Sequence, residues 1–232
     1  MFCYNTALTT FDGGDMSSLT NGSYMFYYDK VLSSFSGNLS SLTDGSRMFY
    51  YNAQLSSLNC SSMSNLTDGS YMFYKCTKLG SFEIDMSNLT NGSYMFYSSS
   101  LNSFNCGDMS KLSNGERMFY DCVNLTSFSG DLSSLSNGKY MFYSNDSLTS
   151  FSGGNMSSLI DGSYMFYGCD LLTSFSGGNM SSLIDGSYMF YSCDGLTSFS
   201  VDLSSLEVGD SMFCICLGLT SWEIELPNLV DG

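Results

Sequence analysis

The dipeptide Met-Phe recurs at Met1, Met25, Met48, Met72, Met95, Met118, Met141, Met165, Met189 and Met212, at spacings of 23 or 24 residues. A fixed period in this range marks a solenoid. Each unit is one supersecondary piece that cannot bury its apolar side alone, and stacking the units closes a shared core. The best-formed unit runs from Met165 to Tyr188 as MFYGCDLLTSFSGGNMSSLIDGSY. The units fill the chain and leave no sequence for a second domain, so one array over residues 1–232 is expected.

Columns of equivalent positions assign a task to each residue. Every unit carries an alternating segment, clearest in Ser81-Phe82-Glu83-Ile84-Asp85-Met86 and in Ser221-Trp222-Glu223-Ile224-Glu225-Leu226. Period-2 alternation predicts a strand with one buried face, Phe82, Ile84 and Met86 inward and Ser81, Glu83 and Asp85 outward. The Ile84 column elsewhere holds Gly37, Cys60, Cys106, Gly130, Gly153, Gly177, Val201 and Ile224, all small or apolar. Longer units add a residue here, as in Phe151-Ser152-Gly153-Gly154-Asn155-Met156, which reads as a bulge that returns Met156 to its column. A second inward column (Leu42, Leu66, Leu89 and their equivalents) predicts a second, shorter strand. Asp/Asn-Gly follows, and a glycine in every unit requires either a positive φ or the absence of room for a Cβ. The Met-Phe segment is expected to close each coil as a short helical or 3₁₀ turn.

The fifth position of each unit reads Asn5, Asp29, Asn52, Cys76, Ser99, Cys122, Asn145, Cys169, Cys193 and Cys216. Leucine-rich repeats place Asn or Cys in an equivalent slot. A small polar side chain there can hydrogen-bond the open backbone between coils, so this column is expected to be structural. Met165-Phe166-Tyr167-Gly168-Cys169 followed by Leu172-Thr173-Ser174-Phe175, and Met189-Phe190-Tyr191-Ser192-Cys193 followed by Leu196-Thr197-Ser198-Phe199, resemble the BspA-type leucine-rich repeats of bacterial surface proteins. The resemblance spans nearly the whole chain. It implies a repeat solenoid of leucine-rich-repeat type, mainly β, with about ten coils. Each coil would have a main parallel strand, a short second strand and the closing turn. It also implies surface-exposed adhesive or ligand-binding proteins, with no shared catalytic residues to carry over. The chain departs from the family pattern in its many tyrosines and its lack of capping modules.

Composition narrows the chemistry. There is no His, which excludes a Ser-His-Asp or Cys-His nucleophile pair, a His-ligated zinc and an imidazole pH switch. Seven Lys+Arg against 22 Asp+Glu give a net charge of −15, which disfavours nucleic acid and acidic membranes as partners. No run approaches the length of a membrane span, and the first residues show neither the basic stretch nor the apolar core of a signal peptide. Nine Cys cannot all pair internally, and reduced, buried thiols are expected. No cofactor or metal is expected: the acids lie one per coil, whereas calcium needs several oxygens at one point.

Two outward ladders are the candidate contact surfaces. One is the strand face, with hydroxyls at Ser81, Ser127, Ser150 and Ser174 beside acids at Asp85, Asp108 and Asp131. The other is the residue before each Met: Tyr24, Arg47, Tyr71, Tyr94, Arg117, Tyr140, Tyr164 and Tyr188. Tyr offers a rigid apolar face with a polar tip and could stack on sugars or contact protein. At about 4.8 Å per coil, ten coils would form a rod roughly 45 to 50 Å long. The reading is a non-enzymatic scaffold, extracellular or at a cell surface, binding a protein or glycan. A self-assembling filament joined through the end coils is the alternative. Ice binding through Thr126, Thr149, Thr173, Thr197 and Thr220 ranks below it.

Overall fold

A computed structural model describes all of residues 1–232 as a parallel β-solenoid. Its main strands are β1 (Thr10–Asp12), β2 (Ser34–Ser36), β3 (Ser57–Asn59), β4 (Ser81–Phe82), β5 (Ser103–Phe104), β6 (Ser127–Ser129), β7 (Ser150–Ser152), β8 (Ser174–Ser176), β9 (Ser198–Phe199) and β10 (Ser221–Trp222). Paired neighbours run parallel and in repeat register, with Phe128 opposite Phe151 and Phe151 opposite Phe175.

These strands are shorter than the alternating segments that contain them. The in–out pattern nevertheless persists past the last ladder bond: Phe82, Ile84 and Met86 are buried, and Ser81, Glu83 and Asp85 are exposed. The extra residue of the longer segments ends the ladder. Gly14, Gly107, Gly154 and Gly178 all take a left-handed φ of 57–80°, and Met156 returns to the core, fully buried.

The strand ladder is broken into four pieces, β1–β3, β4–β5, β6–β8 and β9–β10. Each break falls where a coil with the extra residue (Ser61, Gly107 or Gly178) precedes a coil without one. The surplus length shifts the backbone groups of the first strand out of hydrogen-bonding register with the next, while rings stay stacked across two of the breaks, Phe104–Phe128 at 6.2 Å and Phe175–Phe199 at 5.7 Å. The first coil, with Gly14, is the exception and stays paired. At the breaks the N–H groups of Gly80, Thr126 and Thr197 have no backbone partner. The equivalent N–H groups of Thr149 and Thr173 donate to the preceding coil at 2.9 and 3.0 Å.

The second strand is reduced to single parallel bridges, but these are unbroken from Asn21↔Asp44 through to Val208↔Asp231. The adjoining glycines do not have positive φ. They sit where a Cβ has no room: at Gly115 it would lie 2.9 Å from Met141 Sδ and 3.2 Å from Leu135 Cδ1.

The Met-Phe segment is not helical, which corrects the expected helical or 3₁₀ turn. A helix sends every amide back along its own chain, whereas a stacked coil must send some to its neighbour. Here the amides alternate. Gly22, Tyr24, Phe26 and Tyr28 donate to the next coil at 2.8, 3.1, 2.9 and 2.8 Å, while Met25, Tyr27 and Asp29 close i→i−3 turns at 3.0, 3.3 and 3.4 Å. The alternation is produced by two left-handed residues per coil, such as Tyr24 (φ 56°) and Tyr28 (φ 67°).

Inside, 52 buried residues form one apolar cluster. The Phe after each Met builds a stacked column, as in Phe26–Phe49 at 5.5 Å and 1°. The strand Phe meets it edge-on, as in Phe104–Phe119 at 4.7 Å and 75°. Both are favourable quadrupole geometries. Methionines fill the remaining irregular spaces.

Candidate functional site

The tyrosines after Met-Phe form a continuous stack. From Tyr27 through Tyr50, Tyr74, Tyr97, Tyr120, Tyr143 and Tyr167 to Tyr191, ring centroids are 4.6–4.8 Å apart and planes are 2–16° from parallel. Burial against the coil, reinforced by neighbouring phenols, pushes the Tyr74 and Tyr120 hydroxyls up to about 12. The predicted contact column runs beside this stack. Tyr24 is exposed, while Arg47, Tyr71, Tyr94, Arg117, Tyr140, Tyr164 and Tyr188 are half-buried.

Within that column the arginines occupy ring positions. Arg47 lies 5.4 Å from the Tyr24 centroid and 4.5 Å from Tyr71; Arg117 lies 5.2 Å from Tyr94 and 4.3 Å from Tyr140. A planar guanidinium sandwiched between two rings continues the stack by cation–π attraction. Arg117 also pairs with Glu116 and donates to the Tyr94 hydroxyl. Ring faces within both columns are covered by the neighbouring coils, while Tyr24 at the end of its column stays exposed. What this edge offers outward is ring rims, phenolic oxygens and cations, not faces for stacking on a sugar.

Lys30, Lys75 and Lys139 also lie 4.6–5.8 Å from tyrosine centroids, which the column analysis missed. The available signal was the fourth position of each unit, where Lys75 replaces Tyr28 and Tyr51.

On the strand face Ser81, Ser127 and Ser174 are exposed and Ser150 is half-buried, and their hydroxyls have no protein partner. The acids beside them are partly committed. Asp85, Asp108 and Asp131 each accept the backbone N–H two residues on, at 3.0, 2.8 and 2.9 Å. This is the Asx-turn use of a short polar side chain; it leaves one oxygen outward on Asp85 and Asp131, while the second oxygen of Asp108 accepts the Ser110 hydroxyl at 3.0 Å. Bonds from Ser110 hold the Asp108 carboxyl below its ordinary value. Between β6 and β7 lies a shallow basin of about 500 Å³ lined by Ser129, Asp131, Ser133, Ser152, Asn155 and three glycines, with no apolar residue. The neighbouring threonines are exposed but committed along the stack: Thr149, Thr173 and Thr220 donate their hydroxyls to the carbonyl of the preceding coil at 3.0, 3.2 and 3.2 Å.

The fifth-position column is internal. Asp29, Asn52, Cys76, Ser99, Cys122, Asn145, Cys169 and Cys193 are buried, and Asn5 and Cys216 partly so. Its donors reach the Phe carbonyl of the preceding coil: Cys122 to Phe96 at 3.1 Å, Asn145 to Phe119 at 3.0 Å, Cys193 to Phe166 at 3.1 Å. Ser99 pairs with Cys122 Sγ at 3.4 Å. Thiol and amide interchange because each can give one proton to that oxygen. All nine thiols are free, and burial pushes Cys76 and Cys122 up to about 12.

Fold and columns together define a parallel repeat scaffold of leucine-rich type. The BspA type leucine rich repeat region family matches the chain in six copies over residues 2–126 and 113–230, and the chain belongs to that family. A leucine rich cell surface protein from Faecalibacterium prausnitzii has a similar structure, with a TM-score of 0.53 at 16% identity, covering 100% of this chain and 84% of that one. A leucine-rich repeat protein from Eubacterium ventriosum ATCC 27560 is 15% identical over 92% of this chain and 72% of its own, with a TM-score of 0.39. No curated protein matches the chain.

Proposed function

We propose that the chain is a non-enzymatic scaffold, working outside the cell or at its surface, that holds an extended glycan along the strand face of β6–β8. The observation that carries this reading is the row of uncommitted hydroxyls at Ser127, Ser150 and Ser174. These lie on three consecutively paired strands, beside an all-polar basin whose Asp131 keeps one oxygen free. A polar, shallow, repeating surface suits a hydroxyl-rich linear ligand and offers little to an apolar peptide. The similar cell surface protein from Faecalibacterium prausnitzii is consistent with such a location.

A glycan array followed by titration calorimetry tests it. The triple variant Ser127→Ala, Ser150→Ala, Ser174→Ala should lose at least tenfold in affinity for the best glycan while keeping its melting temperature. Equal binding by the triple variant would remove the strand face from consideration, and an array without hits would favour a protein ligand.

A second reading is end-to-end stacking of copies. It rests on an apolar hollow of about 220 Å³ on the last coil, lined by Phe213, Trp222, Ile224, Leu226 and Leu229. Electron microscopy over a concentration series decides it: filaments support stacking, and separate short rods at every concentration oppose it.

A further inference from the structure

Asp29 is the only carboxylic acid in the fifth-position column, and it is fully buried. Its Oδ1 accepts the Asn5 N–H of the first coil at 2.6 Å. Its Oδ2 is buried with no partner in the protein. By repeat equivalence that oxygen occupies the place from which Cys76, Cys122, Asn145, Cys169, Cys193 and Cys216 each donate to the Phe carbonyl of the preceding coil, at 2.9–3.3 Å. The corresponding carbonyl for Asp29 is that of Phe2, which accepts no backbone or side-chain hydrogen bond. The next amide, Asn5 N–H, would close an i→i−3 turn onto Phe2 in the pattern of the other coils, but it is already spent on Asp29. Two acceptors thus remain unpaired at a position where six coils supply a donor and an acceptor; one coil on, Asn52 Nδ2 also lacks a partner, and Ser99 turns to Cys122 instead. One proton satisfies both.

We propose that Asp29 is held as the neutral acid, its Oδ2 proton donated to the Phe2 carbonyl, and that this proton is a clasp between the first two coils which ionisation opens. An ionised Asp29 would set a buried charge against a carbonyl oxygen, an arrangement costly enough to be relieved by lifting residues 2–5 away. That segment is tied to the second coil by Phe2 N–H to Met25 at 2.7 Å, Tyr4 N–H to Tyr27 at 2.8 Å and the Asn5–Asp29 bond, so it can open while the β1–β2 ladder holds the rest of the coil.

Burial raises the Asp29 carboxyl above its ordinary value, outweighing the Asn5 N–H and the Met1 ammonium, which favour ionisation. Lys30 on the same coil is drawn off to the rings of Tyr28 and Tyr51, at 4.6 and 5.3 Å. The third coil faces it with neutral Asn52, whose Oδ1 accepts the Asp29 N–H at 2.9 Å. Because the folded value is raised, the clasp contributes fully below the ordinary carboxyl range and is lost as pH rises through the folded value.

Amide hydrogen exchange of the full chain across a pH series, corrected for intrinsic chemistry, reads this directly. Protection at Phe2, Tyr4 and Asn5 should fall at least tenfold as the Asp29 carboxyl, followed by its ¹³C shift, titrates. Asp29→Asn removes the titrating group and keeps an Oδ1 acceptor for Asn5, so its protection should not change with pH; with Nδ2 seated as in Asn145, not as in Asn52, it should hold the protected level. Asp29→Ala should hold the unprotected level at every pH. The proposal is overturned if wild-type protection stays flat while Asp29 titrates. It is equally overturned if Asp29 titrates with the surface acids, or if Asp29→Asn keeps the wild-type pH dependence.

Discussion

The strand side and the tyrosine arc of each coil are built on opposite plans. The strand side has the regular secondary structure, yet its ladder is cut three times along the rod. The arc has no helix or strand, yet its amide relay, its Phe and Tyr stacks and its Asp/Asn bridges pass every one of those cuts. Continuity therefore resides in the irregular part of the repeat. The reason is length: coils vary by one residue in the strand segment, so strands lose register, while the stretch from Asp/Asn-Gly through Met-Phe keeps the same spacing and stacks without adjustment. The variable side is also the polar side, with hydroxyls to spare. The invariant side spends its groups on holding the stack.

This division can be tested by substitution. The largest effect is expected at the arc's buried rings. Phe119→Ala should cost about 3–5 kcal/mol in urea unfolding, because it removes a ring packed on Phe96, Phe104, Phe128 and Phe142 and leaves a cavity. Gly115→Ala, also on the arc side, should cost about 1–3 kcal/mol by overpacking Met141. If Gly154→Ala on the strand side, where φ is 67° and the space is open but for Asp131, proved the worse of the two, the assignment of continuity to the arc would be wrong.

Exchange rates sharpen the same contrast within one side. The unpartnered amides of Gly80, Thr126 and Thr197 should exchange at least tenfold faster than those of Thr149 and Thr173. Similar rates at all five would mean the ladder is whole in solution. Thiol labelling at pH 8 should modify Cys3 and Cys214 promptly and reach Cys76, Cys122, Cys169 and Cys193 only on unfolding. A smaller effect belongs to the cation in the stack. Arg117→Ala should cost about 0.5–1 kcal/mol, and Arg117→Tyr should restore it with the salt dependence removed. Smallest of all, Ser150→Ala should stay within about 0.5 kcal/mol of wild type, as a strand-face hydroxyl with no protein partner should.

Much of the architecture was legible in the residues. The Met-Phe period gave the coil count, alternation at Phe82-Glu83-Ile84 gave the buried face, and the Asn/Cys column gave the internal hydrogen-bonding slot, all because stacking turns each repeated requirement into a visible column. The turn glycines were legible only as a choice between two causes, and the structure selects crowding by Met and Leu over positive φ. The arc was misread as a helical turn because most of its positive-φ positions are filled by Tyr, Arg, Lys and Ser, which give little sequence signal for left-handed backbone, and the two that do, Asp121 and Gly168, are outnumbered. At the candidate site, the outward position of Ser127, Ser150 and Ser174 was legible. That Asp85, Asp108 and Asp131 each lend an oxygen to the backbone was not, and neither was the loss of ring faces to stacking.

Residue types alone thus determined the period, the inward columns and the small polar slot. Contact between coils decided the left-handed arc and everything that depends on the distance between one coil and the next. That includes where the strand ladder breaks, which hydroxyls remain free, and that Asp29 Oδ2 and the Phe2 carbonyl are each left without a donor. A column read from sequence says that residues are stacked. Whether the partner's atom is a proton short or a residue out of register is a property of the stacked pair, and it exists only once the coils are in contact.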